Sequence, residues 1–349
     1  MLMKISVVPA CELDDSARSK WLALQGCNPA LASPFFCPEF TLAVNDACGN
    51  VRVAILEEGG SMVGFFPFQS HWSVGGPSGR MLSDHQGVIC APGTHWQWSQ
   101  LLRAAGLSCW RFDHLCADQA HGVQLKRATS PALDLSQGFA AYKAGRLATH
   151  IGSMRSYERK LRKLEREVGP LRYVDNADDP AVFDAVLRLK SEQYLRMGEF
   201  DVLKLGWVRD LLHRVVQIDL PHFAGRIAAL YAGDHLAAAF LGLRSKAVWH
   251  SWFPVYVPSL GKYSPGSQLL LFIAAAAAHQ GHRLLDLGRG DEPYKQIFAN
   301  HSIPLLEGAF TRSTAGAAFT FGAYETARSL LSSPFGRRLR PLAQRVRGR

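Results

Sequence analysis

The stretch 263-YSPGSQLLLFIAAAAAHQGHRLLDLGRGDEPYKQIF-298 decides how the rest of the chain is read. Ser264-Pro265-Gly266 is a turn signal. Gln268 to His279 follows with three leucines, Phe272, Ile273 and five alanines before the stop at Gln280-Gly281, the pattern of a buried helix. Arg283 to Leu287 is too short for a helix between two glycines and reads as an interior strand, which opens into the polar turn Gly288 to Glu292. Small residues before a helix start leave backbone N–H groups pointing outward at the positive end of the helix dipole. Such a turn either seats an anion or is an ordinary entry into a core helix; its spacing is neither a Walker loop nor GxGxxG.

The 349 residues predict two domains, and 48% hydrophobic content allows a core in each. The start MLMKISVVPACELDD lacks the pattern of a signal peptide, and no apolar run reaches the roughly 20 residues that span a bilayer. Seven cysteines, all in the first third and without CxxC spacing, suggest neither a metal site nor a disulfide framework, and fit a reduced cytoplasm. The net charge of +10 is concentrated at the C-terminus, where Arg337, Arg338, Arg340, Arg345, Arg347 and Arg349 meet no acid. That tail is either a solvated basic terminus or a contact for an anionic membrane or a nucleotide effector; no DNA-binding pattern accompanies it.

Going outward, a strand at 4–9 and a helix that follows Asp14-Asp15 and runs to about Gln25 precede an extended Ser33 to Pro38. A short helix over 39–47 carries Glu39 in its first turn, as a dipole partner or at a substrate mouth. Strands 51–57 and 62–69 form a hairpin across Glu58-Gly59-Gly60-Ser61. Asp84 and His85 are adjacent, so on a strand they would face opposite ways; Asp84 remains a substrate-contact candidate. A helix over 94–105, a strand over 109–115 and a crossing segment at 131–136 close the first half, with a boundary near Gly145. A basic helix over 154–168 carries Arg159 and Lys163, a solvated face or a rim for a phosphorylated substrate. In the helix 181–197, Lys190 and Tyr194 share a face. Strands 223–232, 236–244 and 247–253 lead back to the opening stretch, with Trp249, His250, Trp252 and Tyr256 near its start. One further strand at 307–311, a helix over 315–331 and the basic tail end the chain.

Taken in order, Pro34-Phe35-Phe36, Pro38-Glu39-Phe40, Gly64 to Phe68, Ser83-Asp84-His85-Gln86-Gly87, Arg159 to Leu164, Lys190 to Tyr194, Ser264-Pro265-Gly266 and Asp291 to Lys295 resemble the CelD/BcsL-type, BioF2-like acyltransferases of the GNAT superfamily, relatives of the Fem-type transferases. The resemblance covers most of residues 1 to about 300. It implies an α/β (α+β) fold of tandem GNAT-like domains, each a mixed, mostly antiparallel sheet flanked by helices. They are a substrate-shaping domain (1–145) and an acyl-CoA-binding domain (146–312), followed by a terminal helix and Arg-rich tail (313–349). It also implies that the last strands splay to admit acetyl-CoA or a longer acyl-CoA, with Tyr263, Ser264, Pro265, Gly266, Ser267 and Gln268 as its seat. The pyrophosphate loop of smaller GNAT enzymes is reduced here to YSPGSQ.

No GxSxG, HExxH or Cys–His setting supplies a nucleophile, so direct attack of an amine on the thioester is expected. Asp286 is the candidate general base, with Asp291 and Glu292 nearby, or a strand-end residue; Tyr294 would protonate the thiolate or simply pack, and Lys295 would hold a phosphate or the thioester oxygen. Glu39, Asp84, Arg159, Lys163, Lys190, Tyr194, Trp252 and Asp291 are the substrate-contact candidates, with packing the competing role for Trp252; no metal ligands are expected. The expectation is a cytoplasmic N-acyltransferase, with the tail allowing a place at the inner membrane, acting on an amino sugar or polysaccharide precursor. The alternatives are Fem-like aminoacyl transfer and a degenerate GNAT scaffold that binds an effector.

Overall fold

The computed structural model describes residues 3–312 except 121, 122 and 124; the expected terminal helix and tail lie outside the described residues. The first half runs β1 (Lys4–Pro9), α1 (Asp15–Gly26), α2 (Pro38–Cys48), β2 (Val51–Glu58), β3 (Ser61–His71), β4 (Val74–Pro77), β5 (Ile89–Cys90), α3 (Trp98–Ala104), β6 (Cys109–Cys116) and β7 (Lys126–Asp134). The second runs α4 (Gly138–Glu167), β8 (Leu171–Val174), α5 (Pro180–Met197), α6 (Gly206–Val216), β9 (Asp219–Leu220), β10 (Phe223–Ala232), β11 (His235–Ser245), β12 (Val248–Tyr256), α7 (Pro265–His279), β13 (Leu284–Asp286), α8 (Pro293–Phe298) and β14 (His301–Thr311). Among the described residues, no helix is long and apolar enough to cross a membrane.

All fourteen strands join one mixed sheet, ordered β1-β2-β3-β4-β6-β14-β7-β13-β12-β11-β10-β8, with β5 beside β3 and β9 beside β10. The order repeats. Four antiparallel strands (β1 to β4, then β8, β10, β11, β12) are each followed by a parallel neighbour, β6 on β4 and β13 on β12. The last strand of each half is exchanged: β14 completes the first half against β6, and β7 completes the second against β13. β7 and β14 also pair with each other from His301↔Ala132 to Glu307↔Lys126. Two half-sheets therefore become one.

The helices cover this sheet by their apolar faces. One core joins Trp21, Phe36, Phe40 and Val44 of the first half to Val186, Leu211, Leu212 and Phe253 of the second. A second packs Trp98, Leu101 and Leu102 against Phe66, Trp110 and Phe310. A third sets Leu269, Leu270 and Ile273 of α7 on Leu133, Leu230, Trp249 and Leu285.

Several local expectations shift. Ser33 and Cys37 are extended, as residues before proline should be, but Pro34–Phe36 closes a 3-10 turn whose phenylalanines are buried. The helix expected over 94–105 begins only at Trp98, with an extended Gln97 before it. The basic helix begins at Gly138, not 154, and bends at His150 (φ −135°, ψ 40°), so the expected boundary near Gly145 falls inside α4. Tyr142 Oη donates to Phe298 O at 2.8 Å and Arg146 Nε to Ile297 O at 2.8 Å, so the first part of α4 is fastened to α8.

Strand exchange makes each half incomplete alone. Expressed separately, residues 1–137 and 138–349 should each lack a cooperative thermal transition by circular dichroism, while co-expression restores one. Cooperative unfolding of either half alone would contradict the exchange.

Candidate functional site

β12 pairs with β13 only from Val248↔Leu284 to His250↔Asp286. Beyond His250 the two strands part, and among the described residues the edge of Ser251 to Tyr256 has no strand partner on that side. On the other side the register with β11 slips between Leu241 and Gly242, leaving Trp252 as the extra residue of a bulge. Gly242 is required there, since a Cβ would sit 2.4 Å from the Trp249 ring and 2.5 Å from His250 O. The opening holds a cavity of about 320 Å³ lined by Phe240, Pro254 to Tyr256, Gly261, Ser264 to Ser267, Lys190, Gln193, Met197, Glu292 and Tyr294.

One end of this cavity is the start of α7. Pro265 has no N–H to lose, and the first-turn N–H groups of Gly266 and Ser267 have no acceptor within the helix. Ser264 is left-handed (φ 56°), and its Oγ accepts from Lys160 Nζ of α4 at 2.9 Å. A Cβ on Gly266 would meet Tyr256 and Phe240 at 3.7 and 3.9 Å, ordinary contact, so bulk beyond Cβ would enter the cavity. Tyr263 and Gln268 play a different part: Tyr263 Oη donates to Glu167 at 2.8 Å and Gln268 Nε2 to Tyr157 O at 2.6 Å, tying the turn to α4.

Where β12 and β13 separate, a fully buried Asp286 is surrounded by donors from both halves. Its Oδ2 lies 2.7 Å from His85 Nε2 and 3.1 Å from His250 Nδ1; its Oδ1 accepts from Ser130 Oγ and, at 3.0 Å, from Gly288 N. His250 Nε2 reaches Asp84 Oδ2 at 2.8 Å, and His114 lies 4.0 Å from Asp84 Oδ1. Burial opposes charge at each of these groups, but their mutual contacts prevail. His250 and His85 hold the Asp286 carboxyl well below its usual range, and the two carboxylates hold His250 up at about 9. Asp84 is likewise held low, by His250 first and His114 next. Asp84 and His85 lie in a loop, not on a strand, and do not pair with each other; each joins the cluster through its own partner, His250 for Asp84 and Asp286 for His85. His85, His250 and Asp286 also bring three potential metal-ligand atoms within 4.8 Å. His85 Nε2 stands at hydrogen-bond distance from the Asp286 carboxylate, while His250 Nδ1 pairs with it by charge without hydrogen-bond geometry.

The other candidates separate clearly. Tyr294 lines the cavity, and burial pushes its hydroxyl up, so it stays protonated. Lys295 is buried, and its Nζ donates to Gly288 O (3.0 Å) and Arg289 O (3.1 Å) and pairs with Glu292 (3.0 Å), shaping the 288–292 turn. Gly290 must be glycine there: at φ 147° a Cβ would stand 2.3 Å from Glu292 Oε2 and 2.9 Å from Lys295 Nζ. Lys190 lines the cavity beside the Tyr194 ring (5.2 Å). Trp252 packs at 5.6 Å on Phe35 and donates to Leu82 O, joining the halves, and Glu39 bonds His222 at 2.8 Å across the same seam. Asp291, Arg159 and Lys163 are exposed, and Lys163 pairs loosely with Glu167. Sequence reasoning weighed His85 and left it below Asp84, and did not single out Ser130 or Lys160. A histidine inside the buried strand 248–256 was the one signal for His250. All seven cysteines are free; burial pushes Cys37 up to about 12, which suits no nucleophile.

The cluster should set the pH dependence of stability. Asp286 contributes above about pH 3.8, and its contribution is lost as pH falls further. His250 contributes fully below about pH 6.5 and loses its contribution as pH rises toward about 9. Denaturant unfolding should therefore show a decline on the order of 3 kcal/mol between pH 6.5 and 9. His250→Gln should be less stable at pH 6 and lack that alkaline decline; a wild-type profile flat to pH 9.5 would mean a neutral His250.

Residues 152–296 match the family model of the acetyltransferase (GNAT) domain. The solved structure of FemX superimposes with a TM-score of 0.59 at 8% identity, over 92% of this chain and 99% of that one. The C-terminal domain of a putative lysylphosphatidylglycerol synthetase from Agrobacterium fabrum gives 0.53 at 14% identity, over 85% and 93%. A tandem GNAT protein from clavulanic acid biosynthesis gives 0.49 at 12% identity, over 89% and 99%. A comparison with curated proteins finds no match. Residues 152–296 are thus similar to a GNAT-type acetyltransferase domain, and they lie within a larger mixed sheet flanked by helices.

Proposed function

We propose that the protein is an acyl-CoA-dependent N-acyltransferase of the CelD/BcsL type, in which a substrate amine attacks the thioester directly. The observation that carries this reading is the cavity beside the splayed edge of β12, lined by the start of α7 and by Glu292 and Tyr294 of the segment that follows β13. Acyl-CoA fits this lining: N–H groups of Gly266 and Ser267, with Lys160 beside them, suit its pyrophosphate, and the unpaired edge of β12 suits its amide-bearing arm. The thioester supplies an activated acyl carbon beside the bulge at Trp252.

In this reading Asp84, its side chain 23% exposed, receives the acceptor amine and takes its proton. A carboxylate held low is a weak base, and that suffices for a nitrogen made acidic by bond formation. His250, charged and braced by Asp286, keeps Asp84 oriented and ionised. Tyr294 gives its proton to the departing sulfur. The carboxylates Asp84 and Glu292 favour a cationic acceptor. That this acceptor is an amino sugar or polysaccharide precursor, and that the work is done in the cytoplasm or at the inner membrane, rests on the family resemblance.

A second reading, Fem-like transfer of an aminoacyl group, is favoured by the likeness in shape to FemX. Calorimetry separates the two. Acetyl-CoA or a longer acyl-CoA should bind with micromolar affinity, and Gly266→Trp should weaken binding more than about tenfold by filling the cavity. No binding of any acyl-CoA would remove the first reading and leave the second. With donor and an amino-sugar acceptor, Asp84→Asn should lower kcat by about 10²–10³-fold while donor affinity stays within a factor of about three.

A further inference from the structure

Two lysines lie buried around the cavity, and their surroundings are opposite. Lys295 gives its three protons to two carbonyls and a carboxylate, so its nitrogen has no lone pair to offer. Lys190, on α5 between the buried Leu189 and the cavity wall, is nine-tenths buried. Among the described residues no carboxylate lies within ion-pair distance of its Nζ, and its named neighbour is the ring of Tyr194 at 5.2 Å. It shares the cavity wall with Gln193, Met197, Tyr256, Gly266 and Tyr294, the surface along which an acyl-CoA arm would run.

We propose that Lys190 is a site of self-acylation: when no acceptor occupies the cavity, its amine takes the acyl group of a bound acyl-CoA. The inference rests on the acyl-CoA reading above. In the step, the Nζ lone pair forms a bond to the thioester carbonyl carbon, the carbon–sulfur bond breaks, and the electron pair leaves with sulfur. The proton lost by nitrogen ends on the thiol of free CoA. No oxidant or metal is needed, and an uncharged amide remains in the cavity. One turnover per chain is the limit, because an amide nitrogen does not pass the acyl group on. The modification removes a cation and fills space that the donor needs, so it switches the cavity off.

The reactivity of Lys190 follows from its setting. Burial pushes its ammonium down to about 8, against the pull of Glu199 and Glu292, with Lys295 reinforcing the shift and Asp84 opposing it. Tyr294 on α8 also lines the cavity and Tyr194 lies beside Lys190 on α5, both with hydroxyls held protonated by burial. A lysine in water is almost wholly protonated at pH 8, so Lys190 has far more free base there than any surface lysine.

The test is incubation of the full chain with acetyl-CoA, without acceptor, followed by intact-mass measurement and peptide mapping. One acetyl group per chain should appear at Lys190 more than about tenfold faster than at the exposed Lys20 and Lys246. Its rate should rise with pH to a plateau above a midpoint near 8, a wild-type readout independent of how any variant folds. Lys190→Arg should abolish the fast acetylation and leave the slow surface background. If calorimetry shows acetyl-CoA bound while Lys190 is labelled no faster than the surface lysines, self-acylation is wrong and the donor reading stands. If neither acetyl-CoA nor a medium-chain acyl-CoA binds, both fall together.

Discussion

The charge on Asp286 is the constraint that organises this molecule. A carboxylate with no exposed surface in the middle of a sheet is destabilising by several kcal/mol unless protons and dipoles surround it. Its own strand provides only Gly288 N at short range. The remaining neutralisation comes from His250 on the adjacent strand, Ser130 on β7 and His85 in the loop before β5. Three of the four donors therefore lie elsewhere in the chain, and two lie in the first half. An aspartate in the second half makes the first half part of the site.

The exchanged strands explain how that dependence is met. β13 is three residues long and could not hold an edge position; it is held between β12 and the first half's β7. The exchange that brings β7 there also delivers Ser130, and the seam of Phe35, Phe40 and Trp252 brings Asp84 and His85 to the cluster from the other side. The halves are alike in strand order but unlike in what they offer a ligand. The helix leading to β6 in the first half has seven residues and opens on Trp98, stacked 4.2 Å from Phe310; its counterpart α7 has fifteen and opens on Pro265-Gly266. Aromatic packing occupies the place that small residues leave open in the second half.

Most of the fold was legible because its signals are local. The meander of β10 to β12, α7 between Ser264 and Gly281, and the β2–β3 hairpin follow from periodicity and turn residues; most bounds fall within a residue or two of those expected, and β12 runs three residues further, to Tyr256. The entry to α3 was misjudged because two tryptophans extend the chain to reach a core, and α4 because nothing between Gly138 and Glu167 breaks a helix outright. At the site, Asp286 and Asp84 were visible as carboxylates near turns. Their connection was not, because it runs through His250, 166 residues after Asp84, and alternation along one strand says nothing of what another strand brings opposite. Lys160 was hidden for a related reason. It stands in a run of basic residues with similar neighbours, and only the packing of α4 against α7 distinguishes it from Arg159 or Lys163.

The charges that result are unevenly placed. At the start of α7 the helix dipole, Lys160 and Lys262 make a positive end. At the parting of β12 and β13, Asp84 pairs with His250 and Glu292 with Lys295, and His250 and His85 offset Asp286. Under the proposed reading, a donor with an anionic tail would lie with that tail at the helix start. Among the described residues Lys190 has no carboxylate partner at ion-pair distance, and it lines the same cavity, which is what self-acylation requires of it.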